Sequence, residues 1–92
     1  MVAPPQGYRN VVTMLPVQSR MARIALGWGV RDLAKAAMTS PDTVARFERG
    51  EELKPRTVAA LRSTLETAGV AFIADEPGVG GAGVRLTGSR PE

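Results

Sequence analysis

Apolar positions recur at helical spacing through the middle of the chain and change period near its end. Val17, Met21, Ile24, Ala25 and Trp28 follow the 3.6-residue repeat and predict a first helix with one apolar face. Gly27 and Gly29 interrupt it. Val30, Leu33, Ala34 and Ala37 then predict a short second helix. Met38-Thr39 leaves room only for a tight connection, because Ser40-Pro41-Asp42 is a helix start: serine caps, proline takes the first turn, aspartate meets the positive end of the dipole. The third helix buries Val44 and Phe47 and stops at Gly50. After the polar loop Glu51–Lys54, a fourth helix begins around Pro55–Thr57, with Val58, Leu61, Leu65 and Ala68 as its buried stripe and Gly69 at its end.

The flanks differ from this centre. Residues 1–16 open polar and proline-rich (Ala3-Pro4-Pro5-Gln6-Gly7) and turn apolar at Val11, Val12, Met14 and Leu15, with Pro16 closing the stretch; they predict an extended N-terminal arm. Val70-Ala71-Phe72-Ile73 and Val84-Arg85-Leu86-Thr87 alternate as strands around the glycine-rich Asp75–Gly83, which predicts a terminal β-hairpin. The chain therefore divides into an arm at 1–16, a helical domain at 17–69 and a hairpin with a short tail at 70–92. The fold class is mainly α with a small C-terminal β-hairpin.

Ninety-two residues suffice for one modest core. With no cysteine and no histidine, disulfides, the usual zinc sites and the commonest general base are excluded, so no catalytic or metal-ligating residue and no cofactor is assigned. Twelve basic residues, ten of them arginine, face nine acidic ones. The net charge of +3 and a pI near 10.2 fit a nucleic-acid partner. No apolar run reaches the roughly 18 residues of a membrane helix, and Met1–Pro5 lacks the basic start of a signal peptide, so the expected location is the cytoplasm, on the nucleoid.

Gly78-Val79-Gly80-Gly81-Ala82-Gly83 matches a dinucleotide-binding G-x-G-x-x-G. That chemistry needs a helix after the glycines, its N-terminus on the pyrophosphate. The residues after Gly83 suggest a strand, so the motif reads as a hairpin loop.

Two short helices, about Val30–Ala37 and Pro41–Arg49, joined by a three- or four-residue turn make a helix-turn-helix unit. Ala34 sits where the two helices must approach closely. Residues 23–50, with the Leu33-Ala34 pair, the Ser40 cap and above all Phe47-Glu48-Arg49-Gly50, resemble the lambda-repressor-like (Cro/XRE) helix-turn-helix family, and the similarity continues through Lys54-Pro55 to about residue 69. The resemblance implies a bundle of about four or five helices whose third enters the DNA major groove, usually as a homodimer on a palindrome. It also implies an ion pair between Arg23 and Glu48. Two positions depart from the family pattern: Met38 stands where glycine is common in the turn, and Val30 where a phosphate-binding glutamine commonly begins the second helix.

On this reading Pro41, Asp42, Ala45 and Arg46 face the bases. Arg46 is the principal reader, since arginine pairs bidentately with guanine. Asp42, though placed on that face, is read first as stabilising the helix dipole. Ser40, Thr43, Lys54 and Arg56 are the expected phosphate contacts, with Val30 and Arg31 joining them at the start of the second helix, where backbone amides can serve. Arg49 either reaches phosphate or pairs locally. Glu51 and Glu52 are expected to point away from DNA, and Trp28 to belong to the core.

The expected function is sequence-specific binding of double-stranded DNA, which blocks or recruits RNA polymerase, repression being the commoner outcome. Alternatives are an antitoxin or restriction-modification controller with a partner protein, and a protein-interaction module on the same fold. Phe72, Ile73, Val84 and Leu86 are too apolar for a free hairpin. They are expected to pack on the helices or to form a subunit contact, with residues 11–15 as a candidate added strand and a helical interface as the alternative.

Overall fold

Proline at the first helical position and glycine just past the end punctuate this chain, and the observed elements follow those marks. A computed structural model of the chain describes residues 14–88. Among the described residues, four helices, α1 (Pro16–Leu26), α2 (Val30–Ala36), α3 (Pro41–Glu48) and α4 (Pro55–Thr67), precede two strands, β1 (Val70–Ile73) and β2 (Gly83–Leu86). The strands form an antiparallel hairpin in which Val70 faces Leu86 and Phe72 faces Val84.

Pro16 opens α1 and does not close the arm; its fixed φ suits the first turn, where its missing N–H has no helical partner to lose. Met14 is buried in the core, so the helical domain begins before residue 17, while residues 11–13 of the expected strand segment lie outside the described residues.

The face of α1 is a correction. Val17 and Ile24 are 50% and 68% exposed, and Ala25 is exposed as well. The buried face is Gln18, Ser19 and Ala22. Buried polar groups need partners, and here both have them. The Gln18 side-chain oxygen accepts from the Leu15 N–H at 2.9 Å, and Nε2 donates to the carbonyls of Ile73 and Gly83, each at 3.0 Å. One amide thus ties the start of α1 to the loop end of the hairpin, where Ile73 pairs with Gly83.

The core is Met14, Ala22, Leu33, Ala34, Val44, Phe47, Leu61, Leu65 and Val70. Half-buried Trp28, Val30, Ala37, Leu53, Val58, Phe72 and Val84 pack around it. A two-stranded hairpin is marginal alone, but β1 lies against α4 and β2 against α1. Phe72 also lies under Arg62, whose guanidinium carbon is 4.8 Å from the ring centroid. The glycine motif at 78–83 runs through the hairpin loop, where Glu76 bridges to Gly80, and its last glycine opens β2 instead of a helix.

Candidate nucleic-acid interface

The turn between α2 and α3 is set by local chemistry. Met38 adopts φ +59°, the left-handed conformation that glycine would take without strain. The Thr39 N–H then returns to the Ala34 carbonyl at 2.9 Å. Ala34 is 1% exposed, leaving no room for a larger side chain between the helices. Ser40 caps α3: its Oγ accepts from the Thr43 N–H at 3.1 Å and lies 2.9 Å from the Thr43 hydroxyl. Both expected phosphate ligands are therefore engaged with each other in the free chain, although both hydroxyls keep further hydrogen-bonding capacity.

Behind α3 stands the expected ion pair. Arg23 donates from Nε to Glu48 Oε2 at 2.8 Å and from Nη2 to Oε1 at 2.7 Å, a bidentate fork. Ser19 Oγ donates to Oε2 at 2.7 Å, and Arg20 donates to the Glu48 carbonyl at 3.1 Å, where a cation suits the C-terminal end of the dipole. Burial opposes ionisation of Glu48, but the hydrogen bonds from Arg23 and Ser19 and the charges of Arg23 and Arg20 outweigh it and hold the carboxyl below its ordinary value. Arg23 also donates from Nη1 to the Trp28 carbonyl at 3.1 Å, so one guanidinium joins α1, the segment before α2 and the end of α3. The family resemblance implied Arg23 and Glu48, but Ser19 and Gln18 were not anticipated, since polar residues between apolar ones carry no local mark of burial.

The outer face of α3 carries exposed Pro41 and Asp42, half-buried Ala45 and Arg46, and exposed Arg49. Arg46 Nε donates to Glu51 Oε1 at 3.1 Å, and Nη1 lies 3.5 Å from Asp42 Oδ2. Arg49 Nη2 donates to Glu51 Oε2 at 2.9 Å. In the free chain Arg49 makes the local pair. Glu51, expected to point away from DNA, folds back over the last turn of α3. The cause is the helix end. Gly50 takes φ +100°, its N–H returns to the Phe47 carbonyl, and the Glu51 N–H returns to the Arg46 carbonyl at 3.0 Å. This double return places the residue after the glycine beside the one five positions earlier. Gly50 with a carboxylate after it and Arg46 before it was the available signal. The hydrogen bonds from Arg49 and Arg46 hold the Glu51 carboxyl below its ordinary value, while Glu51 and then Asp42 hold Arg46 in its charged form.

Lys54 and Arg56 flank Pro55 at the start of α4, both exposed. Val30 and exposed Arg31 begin α2, where the Asp32 carboxylate accepts from the Gly29 N–H at 2.7 Å and occupies part of the site that a phosphate would use. Trp28 is half-buried against the core and borders a groove of about 360 Å³ with Ala36, Ser63, Thr64, Thr67 and Ala68. Among the described residues, no cluster of histidine, cysteine or carboxylate side chains is placed to hold a metal, and no helix is long and apolar enough to cross a membrane.

Comparison with protein-family models, with curated proteins and with solved structures finds no match to this chain.

Proposed function

We propose that this chain is a lambda-repressor-like helix-turn-helix protein that binds double-stranded DNA and represses transcription as a homodimer on a palindromic operator. The observation that carries the reading is the α2–turn–α3 unit. Two short helices meet at Ala34, and α3 presents Asp42, Arg46 and Arg49 outward while Arg23 grips Glu48 behind it. A recognition helix must hold its side chains in fixed register against base edges, and a bidentate brace on its buried side supports that. Arg46 reads a base, Pro41, Asp42 and Ala45 approach the same groove, and Ser40, Thr43, Lys54, Arg56, Arg31 and the Val30 backbone hold phosphates.

The dimer contact is proposed at the β segments. Ile73 and Leu86 remain 39% and 45% exposed on the hairpin, apolar surface that a second copy would cover. A protein-interaction module on the same fold is the second reading, favoured by the apolar stripe that Leu15, Val17 and Ile24 leave in solvent at 49%, 50% and 68% exposure. Fluorescence-anisotropy titration against a random duplex library at several salt concentrations separates the two. A DNA-binding regulator gives affinity that falls linearly with log salt and enriches a symmetric motif. Binding that is absent at low salt eliminates the first reading.

A further inference from the structure

The guanidinium of Arg46 is held at one edge and open at the other. Its Nε–H is committed to Glu51, and Nη1 leans on Asp42 at the long distance of 3.5 Å. An arginine has five N–H donors in a rigid fork, so one donor on Nη1 and two on Nη2 remain for a ligand. Pairing with guanine takes two donors, onto O6 and N7. The Gly50 turn sets the Glu51 backbone and Arg49 bonds its second oxygen at 2.9 Å, which biases the carboxylate toward Arg46. The face around it does not owe its partner choice to bulk charge. Arg46, Arg49, Lys54 and Arg56 are opposed by Asp42, Glu51 and Glu52, a balance that attracts phosphate only weakly.

We propose that Glu51 is a specificity-determining positioning residue, which holds Arg46 through Nε so that its terminal amino groups stay presented as a guanine-reading fork, and which keeps Arg46 and Arg49 from non-operator phosphates. The inference rests on the DNA-binding reading above. Holding Arg46 in advance removes rotamer entropy that a free arginine would lose on binding a base. The same tether denies it the varied poses by which a free arginine meets phosphates, so operator DNA is favoured relative to any other sequence. A carboxylate that merely competed for Arg46 would have to be displaced on every duplex and would not raise the ratio of affinities. The open amino groups make displacement unnecessary on a guanine.

In the test, the wild-type protein first selects a duplex from a random library. Affinities for that duplex and for a scrambled one of equal length are then measured across several salt concentrations for wild type, Glu51→Gln and Glu51→Asp, each checked for unchanged thermal unfolding. The selected duplex should carry a guanine whose replacement by 7-deazaguanine weakens wild-type binding about tenfold, and Glu51→Gln binding by less. Glu51→Gln should bind the scrambled duplex about two- to fivefold more tightly, with a salt slope steeper by about one, and lower the selected-to-scrambled ratio about tenfold. Glu51→Asp keeps the charge but is one methylene too short to span both arginines. It should lower the ratio with a smaller rise on scrambled DNA. A ratio unchanged in both variants, whether the two affinities move together or stand still, overturns this inference and leaves the DNA-binding reading intact. Failure of the wild type to bind any duplex overturns both.

Discussion

Glu48 and Glu51 stand three residues apart, and each carboxylate meets two arginines. Glu48 is 8% exposed, receives a bidentate fork from Arg23 and a third bond from Ser19, and lies between α1 and α3. Glu51 has a side chain 48% exposed and single bonds to Arg46 and Arg49, both within its own helix end. The chemistry is alike and the surroundings are not. Removing one member of this largely buried pair strands a charge that water solvates poorly, so the pair is structural whatever its net contribution. Water replaces an exposed partner at little loss, so the second pair acts by aiming its arginines and is free to be rearranged by a ligand.

The sharpest way to break that contrast is to neutralise each glutamate in turn. Glu48→Gln should cost about 3 kcal/mol in denaturant unfolding, because Arg23 keeps its charge and loses its counter-charge. For a domain of this size that lowers Tm by about 10 °C or more. Glu51→Gln should leave Tm unchanged within error, as exposed substitutions generally do. Equal losses of Tm would erase the distinction.

Acid gives a second contrast. The folded state holds the Glu48 carboxyl below its ordinary value of 4.5, so at moderately low pH the unfolded chain binds more protons than the folded one. The stability from this pair is therefore fully present above about pH 4.5 and lost as pH falls through the lower folded value. Unfolding curves of wild type should converge on those of Glu48→Gln as pH drops below about 4.5. Curves that stay parallel would show that the pair is not the source of the acid sensitivity.

DNA binding should divide the outer residues in turn. Arg46→Ala should weaken binding to the selected duplex about 10- to 100-fold and change binding to scrambled DNA little, since base edges differ between sequences and phosphates do not. Lys54→Ala should weaken both alike by a few-fold and reduce the salt slope by about one. Equal losses on both duplexes for Arg46→Ala, with the fold intact, would make that residue a phosphate clamp.

Two apolar patches offer a further comparison. In sedimentation, a wild type that is dimeric as proposed should shift toward monomer with Ile73→Glu and Leu86→Glu, and stay dimeric with Val17→Glu and Ile24→Glu. The reverse result would move the subunit contact to α1. A smaller loss of stability than that of Glu48→Gln is expected at Gly50→Ala. A Cβ there meets nothing within 4 Å, so its destabilisation, about 1 kcal/mol by thermal unfolding, reports only the strain of φ +100° on a side-chain-bearing residue.

The order and type of the elements were legible in the sequence because short-range physics sets them. Ser40-Pro41 starts α3, Gly50 ends it, Leu61 and Leu65 mark the buried side of α4, and alternation around a glycine loop makes the hairpin. The Arg23–Glu48 pair was legible only through a family resemblance, since 25 residues separate the partners and no local rule links them. That expectation also contradicted the apolar stripe read on α1. Helical side chains advance by about 100° per residue, so a helix that turns Arg23, Ser19 and Ala22 inward turns Val17 and Ile24 out. Packing decided between them: a buried bidentate pair with Ser19 and Gln18 satisfied outcompeted the burial of two branched aliphatics, and hydropathy along one helix carries no record of what faces it. Tertiary structure likewise decided that Met14 belongs to the core. The place of Glu51 was decided more locally, by the turn at Gly50, but at the level of backbone hydrogen bonds and side-chain reach, where a carboxylate's partner depends on a conformation that residue type does not state.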